Sequence, residues 1–230
     1  MRNRKYLIGV VAGVIGALAF SGVASAAILG QTETSVVAPS KLPKKTYKGA
    51  TQSNIIATQL NDPANTSPPK KTVFTFDKNV KFTLGNLPVC PLSALQGTVE
   101  AAAAQCATSV VGQGSVQATT ATGILSGPVS LIASPPNTLY VKARVGALNL
   151  PPLTGIYAGK TLTFDNLPNV PGTILSNFTT AFNKVKTGGK NFFFMARCSN
   201  KKLVVSETTT YYNGQSTTAN STQKCKQTKK

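Results

Sequence analysis

The sequence predicts an all-β protein, an antiparallel two-sheet sandwich of jelly-roll or immunoglobulin-like type, with one short disulfide-pinned helical excursion. Three observations lead there. About ten short segments alternate apolar and polar residues with period two, as half-buried strands do. Turn-forming residues separate them every 8–12 residues, the spacing of a sandwich. A single stretch, Leu87 to Ala107, breaks the pattern with an alanine-rich run bounded by cysteines.

Residues 1–26 have the layout of a signal peptide. Arg2, Arg4 and Lys5 form a basic head, Leu7 to Phe20 an apolar run, and Ala24-Ser25-Ala26 an A-x-A cleavage site. The apolar run is short for a bilayer span of about 20 residues. The expected mature chain starts near Ala27 and carries no transmembrane anchor after signal removal. Residues 27–53 predict an extended, poorly ordered leader, because Pro43, a lysine cluster and few apolar residues leave little to bury. Residues 54–230 are expected to form one β-sandwich domain, a length that a single core accommodates.

Within that domain, Ile55 to Leu60 reads as a first strand. Asn61 to Lys71 is turn-rich. Thr72 to Leu84 alternates Val73, Phe74/Phe76, Val80, Phe82 and Leu84 with polar residues. The stretch Thr98 to Cys106 reads as a helix, with Thr98 placed to cap it, Glu100 at its positive end and four alanines behind. Pro91 suits the first turn of a shorter helical piece, and Gly97 separates the two. Gly114 to Thr122 is the next strand. Val129 to Ala133 and Leu139 to Val145 flank the turn Ser134-Pro135-Pro136-Asn137 as a hairpin. Leu148 to Leu153 is a Pro-broken edge or loop, and Lys160 to Phe164 a strand. Ile174 to Val185 suits helix or strand; the shared side of Phe178, Thr180, Phe182 and Lys184 favours strand. Gly188-Gly189 marks a turn before a core strand, Asn191 to Cys198. Asn213-Gly214 then joins Leu203–Tyr212 to Gln215–Gln223, the strongest short-range hairpin signal. The second arm is almost wholly polar, which places it at an edge or facing solvent.

Four cysteines, Cys90, Cys106, Cys198 and Cys225, allow three pairings. In an exported protein they are expected to form disulfides, with Cys90–Cys106 and Cys198–Cys225 favoured. The spacing lacks paired C-x-x-C knuckles and the chain has no histidine, so no metal site is expected.

The chain carries 24 Lys+Arg against 6 Asp+Glu. Loss of Arg2, Arg4 and Lys5 with the signal leaves 21 cations and 6 acids, a net charge of +15. Such a field attracts polyanions. Without histidine, Ser-His-Asp and Cys-His catalysis are excluded. Asp77 and Asp165, each in a Thr-Phe-Asp context, are the one carboxylate pair in comparable settings for glycoside hydrolysis. The plainer role for each is to stabilise the turn that ends its strand. Val111-Gly112-Gln113-Gly114-Ser115 lacks the lysine and helix of a phosphate loop. No Trp is present for sugar stacking, but Tyr140, Tyr157, Tyr211 and Tyr212 are available. Tyr211 and Tyr212 point to opposite faces of a strand. Lys142 and Arg144 share a face suited to an anion.

Several of these residues resemble a group of uncharacterised secreted proteins of high-GC actinobacteria. They are Phe76-Asp77-Lys78, Leu87-Pro88-Val89-Cys90-Pro91 with the helix to Cys106, Val111-Gly112-Gln113-Gly114, Ala196-Arg197-Cys198 and Gln223-Lys224-Cys225. The likeness spans about residues 70–226. It implies export, two disulfides and a β-rich domain, and it transfers no activity. The expectation is a secreted, extracellular, non-catalytic binding or structural protein of the cell envelope. Its basic surface would contact an anionic envelope polymer or polysaccharide, with Lys142, Arg144, Tyr211 and Tyr212 as candidate contacts. No catalytic residues, cofactors or nucleic-acid partner are expected. The alternative is a carbohydrate-active enzyme, glycosidase or lyase, using Asp77/Asp165 or a Tyr/Arg pair.

Overall fold

A computed structural model describes residues 30–59, 67–169 and 173–228. The signal-peptide reading over residues 1–26 lies outside them. In chain order the strands are β1 (Gly30–Ala38), β2 (Lys41–Leu42), β3 (Lys48–Gly49), β4 (Thr51–Gln59), β5 (Pro69–Phe76) and β6 (Val80–Phe82). The helical excursion follows, with a 3-10 turn at Leu92–Leu95 and helix α1 (Val99–Gln105). Then come β7 (Val110–Thr120), β8 (Gly123–Ser134), β9 (Thr138–Val145), β10 (Leu148–Asn149), β11 (Leu153–Ala158), β12 (Thr161–Phe164) and β13 (Thr173–Phe182). The chain closes with β14 (Lys186–Gly188), β15 (Asn191–Phe192), β16 (Phe194–Ala196), β17 (Lys202–Tyr211), β18 (Ser216–Lys224) and β19 (Lys226–Gln227).

The protein is all-β, as its alternation predicts, and its strands pair antiparallel except for the two-residue parallel pair of β2 with β19. The two layers are parts of one long sheet in the order β1-β4-β13-β7-β8-β9-β11-β12-β5-β17-β18, folded over a shared core. Its two ends come back together. Gln223 of β18 reads the backbone of Val37 in β1 as a neighbouring strand would. Its Oε1 accepts from Val37 N at 2.6 Å and its Nε2 donates to Val37 O at 2.9 Å. Ser221 Oγ accepts from Ser35 N at 2.8 Å, and Thr217 Oγ1 donates to Gln31 Oε1 at 2.6 Å. The polar character of β18 thus has a use. Ser221 and Gln223 substitute for ladder hydrogen bonds at a seam where backbone groups would otherwise go unpaired, and Thr217 adds a side-chain bond.

Within the stretch 27–53, where the sequence predicts a poorly ordered leader, the described residues 30–53 form strands of this seam and its neighbours. Residues 30–53 supply β1 to β3 and the start of β4, and Val37, Leu42 and Ala50 belong to the main core. The stretch lacks the usual apolar signature because several of the groups it buries are polar, and some of them bond one another. Gln52 donates to Ser35 Oγ at 2.8 Å and to Asn54 Oδ1 at 2.9 Å, and all three are buried.

The other elements follow their local chemistry. Thr98 accepts from Ala101 N at 3.1 Å and caps α1. Both favoured disulfides are present, Cys90–Cys106 and Cys198–Cys225. The first holds the helical excursion against the outer face of β8 and β9, where Leu95 and Ala102 cover Ile132 and Tyr140. The ambiguous segment 174–185 is strand β13 up to Phe182. The expected core strand 191–198 is split into β15 and β16, with Phe193 and Phe194 both at 0% exposure. Asn213-Gly214 turns β17 into β18, with Gly214 at φ +84°. The glycines of 111–115 lie in β7, where β13 presses close. A Cβ on Gly114 would sit 1.9 Å from the carbonyl oxygen of Thr179, so their role is packing.

Replacing Gln223 with Ala leaves Val37 N–H and C=O unpaired in a partly buried seam. We expect a loss of about 1–3 kcal/mol in urea unfolding, with Lys224→Ala beside it near neutral as the control.

Candidate functional site

The strands run between two unlike ends, and one of them gathers the positive charge. Lys202 stands opposite Lys224 in the β17–β18 register, and Lys41 opposite Lys226 in the parallel β2–β19 pair. Lys48 and Lys81 flank β16 from either side. Lys184, over the ring of Phe192 at 5.1 Å, extends the patch past β3. These lysines are exposed. Like charges placed directly opposite on a sheet destabilise it, so the two lysine pairs are a folding cost that this end tolerates.

The scaffold beneath is a buried asparagine. Asn79, at 0% exposure, donates to Asn200 Oδ1 at 2.7 Å, while its Oδ1 accepts from Ser199 Oγ at 2.6 Å and Arg197 Nε at 3.2 Å. The Arg197 guanidinium lies 4.7 Å from the Tyr47 ring centre and donates to Lys45 O at 3.3 Å. Tyr47 donates its hydroxyl hydrogen to Lys78 O at 2.8 Å. Lys160 donates to the carbonyls of Lys78 and Val80. Burial pulls its pKa down, and the nearby charge of Arg197 adds to this. The Cys198–Cys225 bridge ties the last segment to the same frame. Three loops that carry lysines are therefore fixed to one another by the hydrogen bonds of Asn79, Arg197, Tyr47 and Lys160.

Asp77 is the one carboxylate among the described residues at this end, and it is used internally. Its Oδ1 accepts from Asn79 N at 2.8 Å and its Oδ2 from Val204 N at 3.3 Å. Asp165 sits at the opposite end of β12 and pairs with Lys71 at 2.8 Å. Thr161 and Phe164 of β12 face Thr75 and Thr72 of β5, which sets Asp165 level with Lys71, six residues or roughly 20 Å of strand from Asp77. Each ends its strand, and they share no cleft. The geometry for a glycosidase pair is absent.

The four candidate contact residues are dispersed. Lys142 is 3% exposed and donates to Leu150 O at 2.7 Å; burial lowers its pKa. Arg144 meets Glu100 of α1 at 3.4 Å. Tyr211 is 3% exposed, with its hydroxyl 3.3 Å from Thr217 Oγ1. Tyr212 is 45% exposed and donates to Leu167 O at 2.9 Å, at the end of the molecule away from the lysines. Tyr157 is committed to an aromatic cluster with Phe82 and Phe193, and Tyr140 packs beneath the helical excursion.

Two acids went unremarked in the sequence. Glu33 of β1 and Glu207 of β17 are 7% and 2% exposed. Burial raises the Glu33 pKa to about 7. Burial, reinforced by the charge of Glu33, raises that of Glu207 to about 8. Glu207 Oε1 accepts from Thr209 Oγ1 at 3.4 Å, while Glu207 Oε2 and both Glu33 oxygens have no partner among the described residues. No sequence pattern marks them, because their juxtaposition exists only across the closed seam.

No family model matches this chain, and no curated protein matches it. Among solved structures, the crystal structure of the N-terminal domain of the Streptococcus gordonii adhesin Sgo0707 is similar at a TM-score of 0.32 and 12% identity. The match covers 84% of this chain and 33% of that one. The chain therefore spans about a third of that chain's length, and a likeness this loose transfers no site. No helix of the described residues is long and apolar enough to cross a membrane.

Both buried acids have folded pKa values above the unfolded carboxylate value of 4.5. Folding then takes up protons. Their contribution to stability is complete below about pH 4.5 and is lost as pH rises through about 7 and about 8. The melting temperature is expected to fall by about 5 °C or more between pH 5 and pH 9. Glu207→Gln should flatten that slope; an equal slope in the variant would show that the pair does not drive it.

Proposed function

We propose that this is an exported, non-catalytic binding protein of the cell envelope, whose basic end contacts an anionic envelope polymer or polysaccharide. The observation that carries the reading is the pair of lysine–lysine registers, Lys202 with Lys224 and Lys41 with Lys226, on a surface without a free carboxylate among the described residues. A solubilising charge would be spread over the surface and interleaved with acids. Here it is concentrated, self-repelling and mounted on a frame locked by Asn79, Arg197 and a disulfide. Such a surface gains stability from an anionic partner that relieves the repulsion.

Each exposed ion pair contributes only about 0.2–1 kcal/mol. Affinity must then come from many lysines acting together along a repeating polyanion, and it must weaken with salt. Lys142, Arg144, Tyr211 and Tyr212 fall outside this contact. Export is supported by the segment 1–26 and by two disulfides, which persist in oxidising compartments.

The test is co-sedimentation of the mature chain with isolated cell envelope and with neutral polysaccharides, at low salt and at about 0.5 M salt, where screening shortens the Debye length to a few Å. Envelope binding should drop at least tenfold in high salt, and equally in the variant Lys48→Glu/Lys81→Glu/Lys202→Glu/Lys224→Glu. Salt-resistant binding to a neutral glycan would overturn the reading.

A further inference from the structure

The end opposite the lysines contains a cavity between the sheet layers. It has two adjoining lobes of about 160 and about 100 Å³. Pro68, Pro69, Leu153, Leu167, Leu175 and Phe178 line both, so the lobes are continuous along these side chains. The larger is walled by aliphatic residues of β7, β8 and β9, among them Val116, Ala118, Leu125 and Ala143. The smaller reaches β17, where Glu207, Thr209, Thr72 and Gln31 form its polar edge. Among the described residues, no Lys or Arg lines either lobe.

Two features set this apart from a packing defect. The lobes open to solvent beside Leu125 and Leu148, which are 41% and 52% exposed, and leave apolar side chains of both layers in contact with water that a close-packed core would exclude. Buried carboxyl oxygens are normally hydrogen-bonded. Yet Glu207, which lines the smaller lobe at 2% exposure, keeps Oε2 without a partner among the described residues. A guest that fills the lobes and bonds Glu207 would remove both costs.

We propose that this cavity binds a linear aliphatic alcohol, with its alkyl chain in the two apolar lobes and its hydroxyl on Glu207. An engineered apolar cavity of about 150 Å³ takes a benzene-sized guest, so the two lobes together suit roughly eight to ten carbons. The hydroxyl follows from charge. A fatty carboxylate would enter a site with no cation and two acids nearby. An alcohol both donates and accepts, which matches a carboxyl group held largely protonated near neutral pH by burial. An alkylammonium would require that group to ionise in an apolar wall.

Isothermal titration of the purified protein with 1-hexanol, 1-octanol, 1-decanol and 1-dodecanol tests this. Decanoate and decylamine serve as comparisons, and about 0.5 M salt silences the basic end. Affinity is expected to rise about fourfold for each added methylene and to level off near ten carbons. Ala118→Leu, which extends into the larger lobe, should move the plateau to shorter chains. Leu148→Trp, at a lobe residue 52% exposed, makes the same test where misfolding is a lesser risk. Glu207→Leu should weaken decanol about fivefold to tenfold, with Glu207→Gln retaining binding. The proposal is overturned by no binding of any alcohol, by tighter binding of decanoate or decylamine than of decanol, or by indifference to all of the lobe and Glu207 variants. None of these outcomes depends on the polyanion reading.

Discussion

The structure depends on the closure of β1 against β18. A long antiparallel sheet has two edges, each a row of unpaired N–H and C=O groups. Here the first and last long strands meet, the side chains of Gln223 and Ser221 supply hydrogen bonds that a ladder would give, and Thr217 bonds the Gln31 side chain. An amide side chain is the natural substitute, since it carries the same donor and acceptor as a peptide group. Closure encloses the core and buries Glu33 and Glu207 on neighbouring elements. A seam made this way carries acids that resist ionisation, and stability becomes coupled to pH through it.

The two ends of the enclosed volume are finished differently. Toward the lysines the interior is filled by an aromatic cluster centred on Phe82, whose ring lies 4.7–5.6 Å from those of Phe76, Tyr157, Phe182, Phe193 and Phe194. Rings at these spacings pack edge to face and leave little free volume. This plug, with the Asn79 frame above it, gives the lysine loops a rigid base. Toward Pro68 and Leu167 no comparable aromatic plug exists among the described residues, and aliphatic walls line the two-lobed cavity, which is partly open to solvent. One end is thus solid and charged outside, the other hollow and apolar inside.

Legibility followed the range of the forces involved. Thr98 and Gly214 act through neighbours a few residues away, so the capped helix and the final hairpin were readable. So was the turn at Pro135-Pro136 between β8 and β9. The stretch 30–53 was not. Its strands are stabilised by contacts such as Ser35 with Ser221, 186 residues apart, and composition alone made it resemble disorder. Lys142 looked like part of a solvated strand face, but the chain returns at Leu150 and its carbonyl takes the ammonium group. Asp77 and Asp165 looked alike because each ends a strand; that likeness carried no information about their separation.

By itself the sequence determined the fold class, the helical excursion, the favoured cysteine pairing and the sign of the charge. Period-two alternation, capping chemistry and turn residues are local, and net charge needs no geometry. The tertiary structure alone decided where that charge collects, which strands meet at the seam, and that two glutamates face an apolar interior. Apart from the Lys202–Lys224 pair within one hairpin, these depend on pairings between segments more than a hundred residues apart, which local preference does not set.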